Sequence, residues 1–422
     1  MVSEEYVDFI WQSSWSEEEL RRVFPDTCWQ IINNYYTAFY ADSSFLRPGY
    51  DTEYGYEVFP ALYTPLQNES LEAANILQLQ NQPVLQLKGE GVLVGMIDTG
   101  IDYTNACFRD LAGKSRIREL WDQTDQSGTT PEGIGYGTVY TQEELNRALE
   151  NAEPFSIVPS RDDSGHGTKL AAIAAGSENL ETGWVGAAPL SELAVVKLKP
   201  AKRYLKEYFM VPEEAEAYQE NDIMLGVRYL HELALRERRP LVICLGLGTN
   251  MGGHAGTSPR SFYLNTIASV AGRCIVIAGG NEANQGHHFY GTLNRGEEYQ
   301  DVELRVAAEE AGLMMELWSN TPDVFSVSLI SPSGEEVPRV TSGMRNLRFD
   351  FLFEKTIVNV NFQSLDPYSG DQLIAIRMSE PTPGIWRLRV YGETVIDGIY
   401  NIWLPVTGFL SVSYTHLRAH ET

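Results

Sequence analysis

The chain has 422 residues and a formal net charge of −25, and 43% of its residues are hydrophobic and 21% are charged. That balance is typical of a globular protein with one large domain or a few smaller ones. The strong negative charge argues against binding to nucleic acid or to an anionic membrane surface. No apolar run reaches the roughly 18 residues of a membrane-spanning helix.

The N-terminus and the cysteines bear on the location of the protein. The first residues are acidic and lack the apolar core of a signal peptide, so we expect no leader. Cys28, Cys107, Cys244 and Cys274 form no CxxC pair, and the last two lie in apolar strand-like runs. We interpret the four as reduced core cysteines rather than disulfides or metal ligands, as in a cytoplasmic protein or one exported without a leader.

Residues 1–60 form an acidic, aromatic region that we interpret as an N-terminal extension or a prosegment. Ser16 followed by three glutamates is typical of a capped helix start. The apolar residues of 29–40 recur at helical spacing, which predicts that the region continues as helix. Both interpretations of the region stay open.

Residues 61–290 alternate between strand-like and helical patterns. Near-continuous apolar runs separated by helices are typical of an α/β domain, with a parallel sheet covered by helices on both faces. Sites in such folds form at the carboxyl ends of the strands, and Asp98 and Asn281 each lie just past a predicted strand. The predicted strands are 92–97, 193–198, 241–247 and 274–278, and the predicted helices are 167–175 and 213–235.

Residues 291–405 have the pattern of an all-β insertion. About eight short runs of alternating apolar and polar residues are separated by turn residues such as those of 381–384. This pattern predicts a β-sandwich or jelly roll, and we expect Trp386 in its core.

The last part of the chain, 406–422, is expected to be a truncated end. Residues 411–422 are basic and polar, complete no predicted element, and resemble the translated reading frame of a sequencing adaptor. We therefore expect the natural part of this sequence to be cut off near Leu410, and the gene itself to continue beyond that point. A genuine flexible tail is the alternative. His416 and His420 carry no functional weight in this interpretation, despite a spacing that would suit a metal.

Two motifs carry side chains suited to acid–base catalysis. Asp98 ends a predicted buried strand, and His166 begins a predicted helix between two glycines that leave room for backbone and substrate. A serine peptidase uses a carboxylate to orient a histidine, which takes a proton from a nucleophilic hydroxyl and returns it to the leaving group. An aspartate followed by a histidine is the order of one known triad, in which the serine comes last.

The residues Asp98-Thr-Gly100 and His166-Gly-Thr168 resemble the aspartate and histidine motifs of the subtilase family of serine peptidases. Gly280-Asn281 resembles the oxyanion segment of that family, and Leu245-Gly-Leu-Gly248 resembles the strand that pairs with an extended substrate. The resemblance covers about residues 58–410. It is greatest to the germination proteases of spore-forming clostridia, which share a jelly-roll insertion before the serine.

The resemblance implies a subtilisin-like fold, a serine endopeptidase acting on protein or peptide substrates, and a cytoplasmic or spore-associated location. Asp98 would orient His166, which would act as general base and then as general acid. Asn281 would donate a hydrogen bond to the oxyanion, a contribution of roughly 3–4 kcal/mol in such sites. The segment that would bind the substrate main chain by strand addition consists of Leu245, Gly246, Leu247 and Gly248.

The nucleophile is the group that the sequence does not supply. The family's serine lies in Gly-Thr-Ser-x-Ala after the oxyanion asparagine, whereas the single Gly-Thr-Ser of this chain, 256–258, precedes Asn281. We interpret Ser258 as a loop or N-cap residue and expect the chain as written to be inactive. A subtilase-like pseudoprotease with a regulatory or binding role is the alternative, although the aspartate and histidine motifs are both present.

No cofactor is predicted, and calcium is left open. Four aspartates could hold calcium, as many subtilases do, but a solvated acidic surface is the favoured interpretation. His287 and His288 are expected to complete the loop on the substrate side rather than to bind metal. The aspartates in question are Asp102, Asp110, Asp122 and Asp125.

Overall fold

A computed structural model shows a six-stranded, mostly parallel sheet with an antiparallel sheet before it in the chain and two further antiparallel sheets after it. No helix in the described part of the chain is long and apolar enough to cross a membrane. The structure describes residues 2–12, 14–25, 27–45, 59–65, 76–82, 84, 86–179, 184–411 and 415–419.

The N-terminal region folds as a three-stranded antiparallel sheet with one helix. Ser16 caps that helix as expected, because its hydroxyl accepts a hydrogen bond from the Glu19 N–H while the Glu19 carboxylate accepts one from the Ser16 N–H. The sheet order is β1-β3-β2. The elements are β1 (Tyr6–Gln12), α1 (Glu17–Val23), β2 (Cys28–Ile31) and β3 (Tyr36–Asp42).

The helix predicted over 29–40 is wrong, because this stretch forms β2, a turn and β3. The Asn33 side chain accepts hydrogen bonds from the N–H groups of Tyr35 and Tyr36 and reverses the chain between the two strands. Aromatic and β-branched residues fit a pleated surface. Pairing of β3 with β1 along its whole length therefore outweighs the helical spacing.

The central domain follows two short elements, β4 (Leu62–Pro65) and α2 (Ile76–Gln80). Its helices are α3 (Gln142–Leu149), α4 (His166–Ala175), α5 (Arg203–Tyr208), α6 (Glu220–Arg236) and α7 (Pro259–Ala268). Its strands are β5 (Leu93–Asp98), β6 (Ile117–Asp122), β7 (Thr138–Thr141), β8 (Glu192–Lys197), β9 (Tyr218–Gln219), β10 (Leu241–Leu245), β11 (Leu247–Gly248) and β12 (Arg273–Ile277).

The central sheet has the order β12-β10-β5-β8-β6-β7, and β7 alone runs antiparallel to its neighbour. Alternate residues of a strand face opposite sides of its sheet. Leu93 and Ile97 of β5 pack in a core with α6 and α7, whereas Val94 and Met96 pack in a second core with α4. This arrangement confirms the predicted α/β fold with helices on both faces.

The predicted strands 92–97, 193–198 and 274–278 lie within one residue of β5, β8 and β12. The predicted strand 241–247 is interrupted at Gly246, which separates β10 from β11. The predicted helix 213–235 begins only at Glu220, because Tyr218 and Gln219 pair with β4 as β9. Strands β4, β9 and β11 form a separate sheet in the order β11-β4-β9.

The cysteines are less buried than predicted. Cys244 is partly buried and packs against the core beneath α4, whereas Cys28 and Cys274 are exposed. Cys274 lies on β12, which ends the order of the central sheet, and Val276 and Ile277 of the same strand are 50% and 51% exposed. The prediction of core cysteines is therefore wrong for Cys28 and Cys274.

The predicted all-β insertion is confirmed as two antiparallel sheets that enclose one core, with Trp386 fully buried in it. The sheet orders are β13-β22-β15-β20-β19-β18 and β17-β16-β21-β14-β23. The domain boundaries proposed from the sequence stay predictions. The strands are β13 (His288–Thr292), β14 (Tyr299–Val306), β15 (Gly312–Ser319), β16 (Val324–Ile330), β17 (Glu336–Val340), β18 (Asn346–Asp350), β19 (Ile357–Gln363), β20 (Gln372–Ser379), β21 (Gly384–Thr394), β22 (Ile399–Trp403) and β23 (His416–Ala419).

The expectation that the last residues complete no element is wrong. Strand β23 pairs antiparallel with β14, and the Leu417 side chain is buried in the sandwich core. The Leu417 N–H also donates to the Gly286 carbonyl. Residues 412–414 and 420–422, including His420, lie outside the described residues. The adaptor origin of 411–422 stays a prediction.

Candidate active site

Asp98 is the last residue of β5, at the carboxyl edge of the central sheet. Its side chain is fully buried, and its Oδ1 accepts a hydrogen bond from the Thr99 N–H at 2.8 Å. Its other oxygen, Oδ2, is buried and has no hydrogen-bond partner among the described residues. The carboxylate is thus held in place by its burial and by the backbone N–H of the next residue.

His166 is the first residue of α4, and its Nδ1 lies 2.6 Å from Asp98 Oδ1. The helix can begin there because Gly165 adopts a left-handed φ of 73°, which costs a glycine little. His166 is 9% exposed. A hydrogen bond from Nδ1–H to the carboxylate leaves Nε2 as the atom that can take a proton. The structure therefore brings the two predicted acid–base residues together.

The predicted substrate segment 245–248 is divided in two by Gly246. Leu245 belongs to the central sheet, where its carbonyl accepts the Ala278 N–H at 3.1 Å. Leu247 and Gly248 pair instead with Pro65 and Thr64 of β4, in antiparallel register. Only the second half of the segment, Leu247 and Gly248, therefore pairs with an extended strand outside the central sheet.

Gly246 lies directly against the Asp98–His166 pair. A Cβ atom at this position would be 2.9 Å from Asp98 Oδ2 and 3.2 Å from His166 Cε1. It would also be 2.5 Å from Leu170 Cδ2. The absence of a side chain at 246 is therefore what allows the pair to sit beside the β10–β11 junction.

Gly246→Ala is expected to lower the free energy of unfolding by about 1–3 kcal/mol, because the new methyl group overpacks the site. Urea unfolding at neutral pH measures the change. Gly253→Ala is the matched control, since its Cβ would meet no atom closer than 3.7 Å. Equal losses for the two variants would show that the contacts of Gly246 with the pair do not matter.

Asn281 lies on the exposed loop that follows β12 and precedes β13. Strands β5, β10 and β12 are parallel neighbours, so this loop leaves the sheet at the same edge as Asp98. Asn281 thus lies beyond the same edge of the sheet as Asp98, and its catalytic role stays a prediction.

The loop of Asn281 is attached to the sandwich through its next residue, Glu282. The Glu282 carboxylate lies 2.6 Å from His287 Nδ1 and accepts from the Thr407 N–H and hydroxyl at 3.1 and 3.0 Å. No motif in the sequence predicted this role for Glu282. His287 is buried in this contact, whereas the ring of His288 stacks on Trp403.

Glu282 is expected to make the protein less stable at acidic pH. Burial alone would raise the pKa of Glu282, but the hydrogen bonds from His287 and Thr407 outweigh burial and hold the pKa below its ordinary value of 4.5. A lowered folded-state pKa contributes stability above the unfolded-state pKa, and that stability is lost as the pH falls through the folded-state pKa.

Glu282→Gln is therefore expected to reduce the loss of unfolding free energy on going from neutral pH to about pH 3. Urea unfolding at a series of pH values measures this slope. Glu303→Gln, on β14 of the sandwich, serves as the comparison. An acid slope that is the same in wild type and Glu282→Gln would contradict the assignment.

The four aspartates considered for calcium each accept hydrogen bonds from nearby backbone N–H groups of their own loop. Within the described residues, no group of three or more histidine, cysteine, aspartate or glutamate side chains could hold a metal ion. Whether calcium binds stays open. The acceptor contacts are those of Asp102 with Thr104, Asp110 with Ala112 and Lys114, Asp122 with Thr124, and Asp125 with Ser127.

Ser258 is the N-cap of α7, as expected. Its Oγ accepts the Ser261 N–H at 3.2 Å, and Pro259 occupies the first position of the helix. The hydroxyl of Ser258 is thus committed to a structural contact.

Comparison with known proteins identifies the family of the chain. The profile of the subtilase family, Peptidase S8, matches residues 89–346. The structure of the Clostridium perfringens CspB protease aligns with a TM-score of 0.69 and 29% identity, over 82% of this chain and 68% of that chain. The Bacillus licheniformis lipase BlEst2 in its propeptide form aligns over 82% of this chain and 77% of that chain, but at a TM-score of 0.20 and 10% identity it carries no argument.

No curated protein sequence matches this chain. The family match spans more than half of the chain and includes both Asp98 and His166. The chain belongs to the subtilase family, whose members are serine-type endopeptidases.

Proposed function

We propose that Asp98, His166 and Asn281 are the orienting carboxylate, the general acid–base and the oxyanion donor of a subtilisin-like endopeptidase. The observation that carries this proposal is the 2.6 Å contact between His166 Nδ1 and Asp98 Oδ1 in a buried site at the carboxyl edge of a parallel sheet. His166 Nε2 would take the proton of a serine hydroxyl and give it to the leaving amine, while the Asn281 amide would donate to the carbonyl oxygen that becomes negative.

We further propose that the substrate binds as an added strand between β9 and β11. Strand β4 of this chain lies in that position, paired with both neighbours. It runs antiparallel to β11, with Thr64 opposite Gly248 and Pro65 opposite Leu247. Its carboxyl end therefore points towards Gly246 and the Asp98–His166 pair. An extended peptide in the same place would present a main-chain carbonyl to the site, which supports a protein or peptide substrate.

Strand β4 follows directly after the N-terminal region of residues 1–60, and its position favours a prosegment over a mere extension for that region. A strand that fills the substrate position blocks it, and β1 anchors the region to the central domain through the buried Asp8. We propose that the N-terminal region is an inhibitory prosegment. Residues 46–58 of it lie outside the described residues.

The 422 residues contain no Gly-Thr-Ser after Asn281, so we propose that the chain as written does not hydrolyse peptide bonds. Sequencing the source DNA past codon 410 tests the function. A frame that continues into Gly-Thr-Ser-x-Ala supports the endopeptidase, and its product should cleave an unstructured protein substrate, whereas its His166→Ala variant should not.

Two other results would overturn parts of the proposal. A different residue at the serine position would favour the subtilase-like pseudoprotease. Turnover by the purified 422-residue chain would show that another of its hydroxyls serves as nucleophile. Ser258→Ala is the control for that case, and we expect it to cost about 1 kcal/mol of helix capping without changing turnover.

We propose a protein or peptide substrate, no nucleic-acid or membrane partner, no required cofactor, and a cytoplasmic or spore-associated location. The net charge of −25 supports the absence of a nucleic-acid partner.

A further inference from the structure

Asp162 connects the loop of Asp98 to the loop of His166. Its Oδ1 accepts hydrogen bonds from the Thr99 hydroxyl at 2.7 Å and the Gly165 N–H at 2.9 Å. Its Oδ2 accepts from the Thr168 N–H at 2.8 Å and the Thr168 hydroxyl at 2.6 Å. One carboxylate therefore holds the residue after Asp98 and residues on both sides of His166.

The threonines complete the connection in the other direction. Thr99 Oγ1 accepts the Gly167 N–H at 2.9 Å, and Thr168 Oγ1 accepts the Asp102 N–H at 2.8 Å. The first N–H groups of a helix have no partner within the helix, and Gly165 offers α4 no side-chain cap. Side chains from outside the helix, Asp162 and Thr99, supply those acceptors instead.

The geometry assigns Asp162 a positioning role, because the Asp98–His166 hydrogen bond joins two separate elements. Asp98 moves with β5 and His166 moves with α4, and catalytic geometry tolerates errors of only about 0.5 Å. We propose that Asp162 holds His166 within reach of Asp98. Hydrogen bonds to an ionised carboxylate are roughly twice as strong as neutral ones, which suits this role.

This inference rests on the proposed function, in which the Asp98–His166 pair is the acid–base pair. The alternative is that Asp162 only caps α4. In that case its loss would affect the stability of the helix but not the hydrogen bond between Asp98 and His166. The positioning role and the capping role predict different behaviour of the proton on His166 Nδ1.

The proton NMR resonance of His166 Nδ1–H in the 422-residue chain distinguishes them. A proton shared with a carboxylate resonates far downfield, and the absence of this signal from His166→Asn assigns it. We expect Asp162→Ala to lose the signal or shift it upfield at a temperature where circular dichroism shows an intact fold. The exposed neighbour provides the control, and Asp163→Ala should keep the signal unchanged.

A second pair of variants covers the case in which Asp162→Ala does not fold. Thr168→Val removes the hydroxyl donor to Asp162 and should weaken the signal, whereas Thr168→Ser keeps a hydroxyl and should keep the signal. An unchanged signal in folded Asp162→Ala or in Thr168→Val overturns the positioning role and leaves the proposed function intact. Absence of the signal from the wild-type chain overturns the Asp98–His166 pair itself, and this inference with it.

Discussion

Asp98→Asn is expected to lower kcat roughly 10,000-fold in a form of this protein that carries the serine, with little change in the fold. The asparagine amide can donate to His166 Nδ1, which leaves the proton on Nε2, where it prevents the ring from accepting one. The short contact of Nδ1 with Oδ1 and the complete burial of Asp98 leave no solvent to take over the role. Hydrolysis of a peptide substrate measures kcat.

Asp163→Asn is the matched control for this prediction, since Asp163 is exposed and lies in the same loop as His166. It should retain wild-type kcat. Activity of Asp98→Asn within about tenfold of wild type would show that Asp98 is not the orienting carboxylate. Urea unfolding of both variants establishes that any loss does not come from misfolding.

Lys202→Met is expected to lower the free energy of unfolding by about 3–5 kcal/mol, because it leaves a buried carboxylate without its cation. Lys202 and Asp8 are 2% and 0% exposed, and their side chains form an ion pair. Lys202 Nζ also donates to the Tyr6 carbonyl at 3.0 Å. Gln219 and Asn221 donate to the other oxygen of Asp8 at 3.0 and 3.2 Å and cannot neutralise it.

Urea unfolding measures this loss, and two further variants identify its cause. Arg203→Met removes a neighbouring exposed ion pair with Glu207 and should cost less than about 1 kcal/mol. Asp8→Leu combined with Lys202→Met removes both charges and should recover most of the stability. A double variant as unstable as Lys202→Met would place the loss in packing rather than in the unpaired charge.

The middle of the central sheet could be predicted from the sequence because β5 and β8 are buried on both faces. Near-continuous apolar runs such as 193–198 have few other structures available to them. The positions of Asp98 and His166 followed from the same pattern, since each lies where a strand ends or a helix begins. Their 2.6 Å contact could not be read from spacing, because it depends on how β5 and α4 pack together.

The wrong or missed predictions concern residues whose hydrogen-bonding partners are distant in sequence. Residues 29–40 have apolar residues at a spacing that suits either a helix or a strand, and pairing with β1 decides for the strand. Asp162 was visible four positions before His166, but one of its four donors, the Thr99 hydroxyl, lies 63 residues away in the chain, and only the fold brings it near. Strand β23 likewise forms only because β14 offers it an edge.

Among the described residues β12 pairs with β10 on one side only, which has a consequence for anyone who handles the protein. A strand at the end of a sheet presents free backbone groups, and here it also presents Val276, Ile277 and the Cys274 thiol to water. Two copies meeting along this strand would extend the sheet and place thiols near each other. We expect concentrated, air-exposed samples to precipitate, and a reducing agent and dilute storage to preserve them.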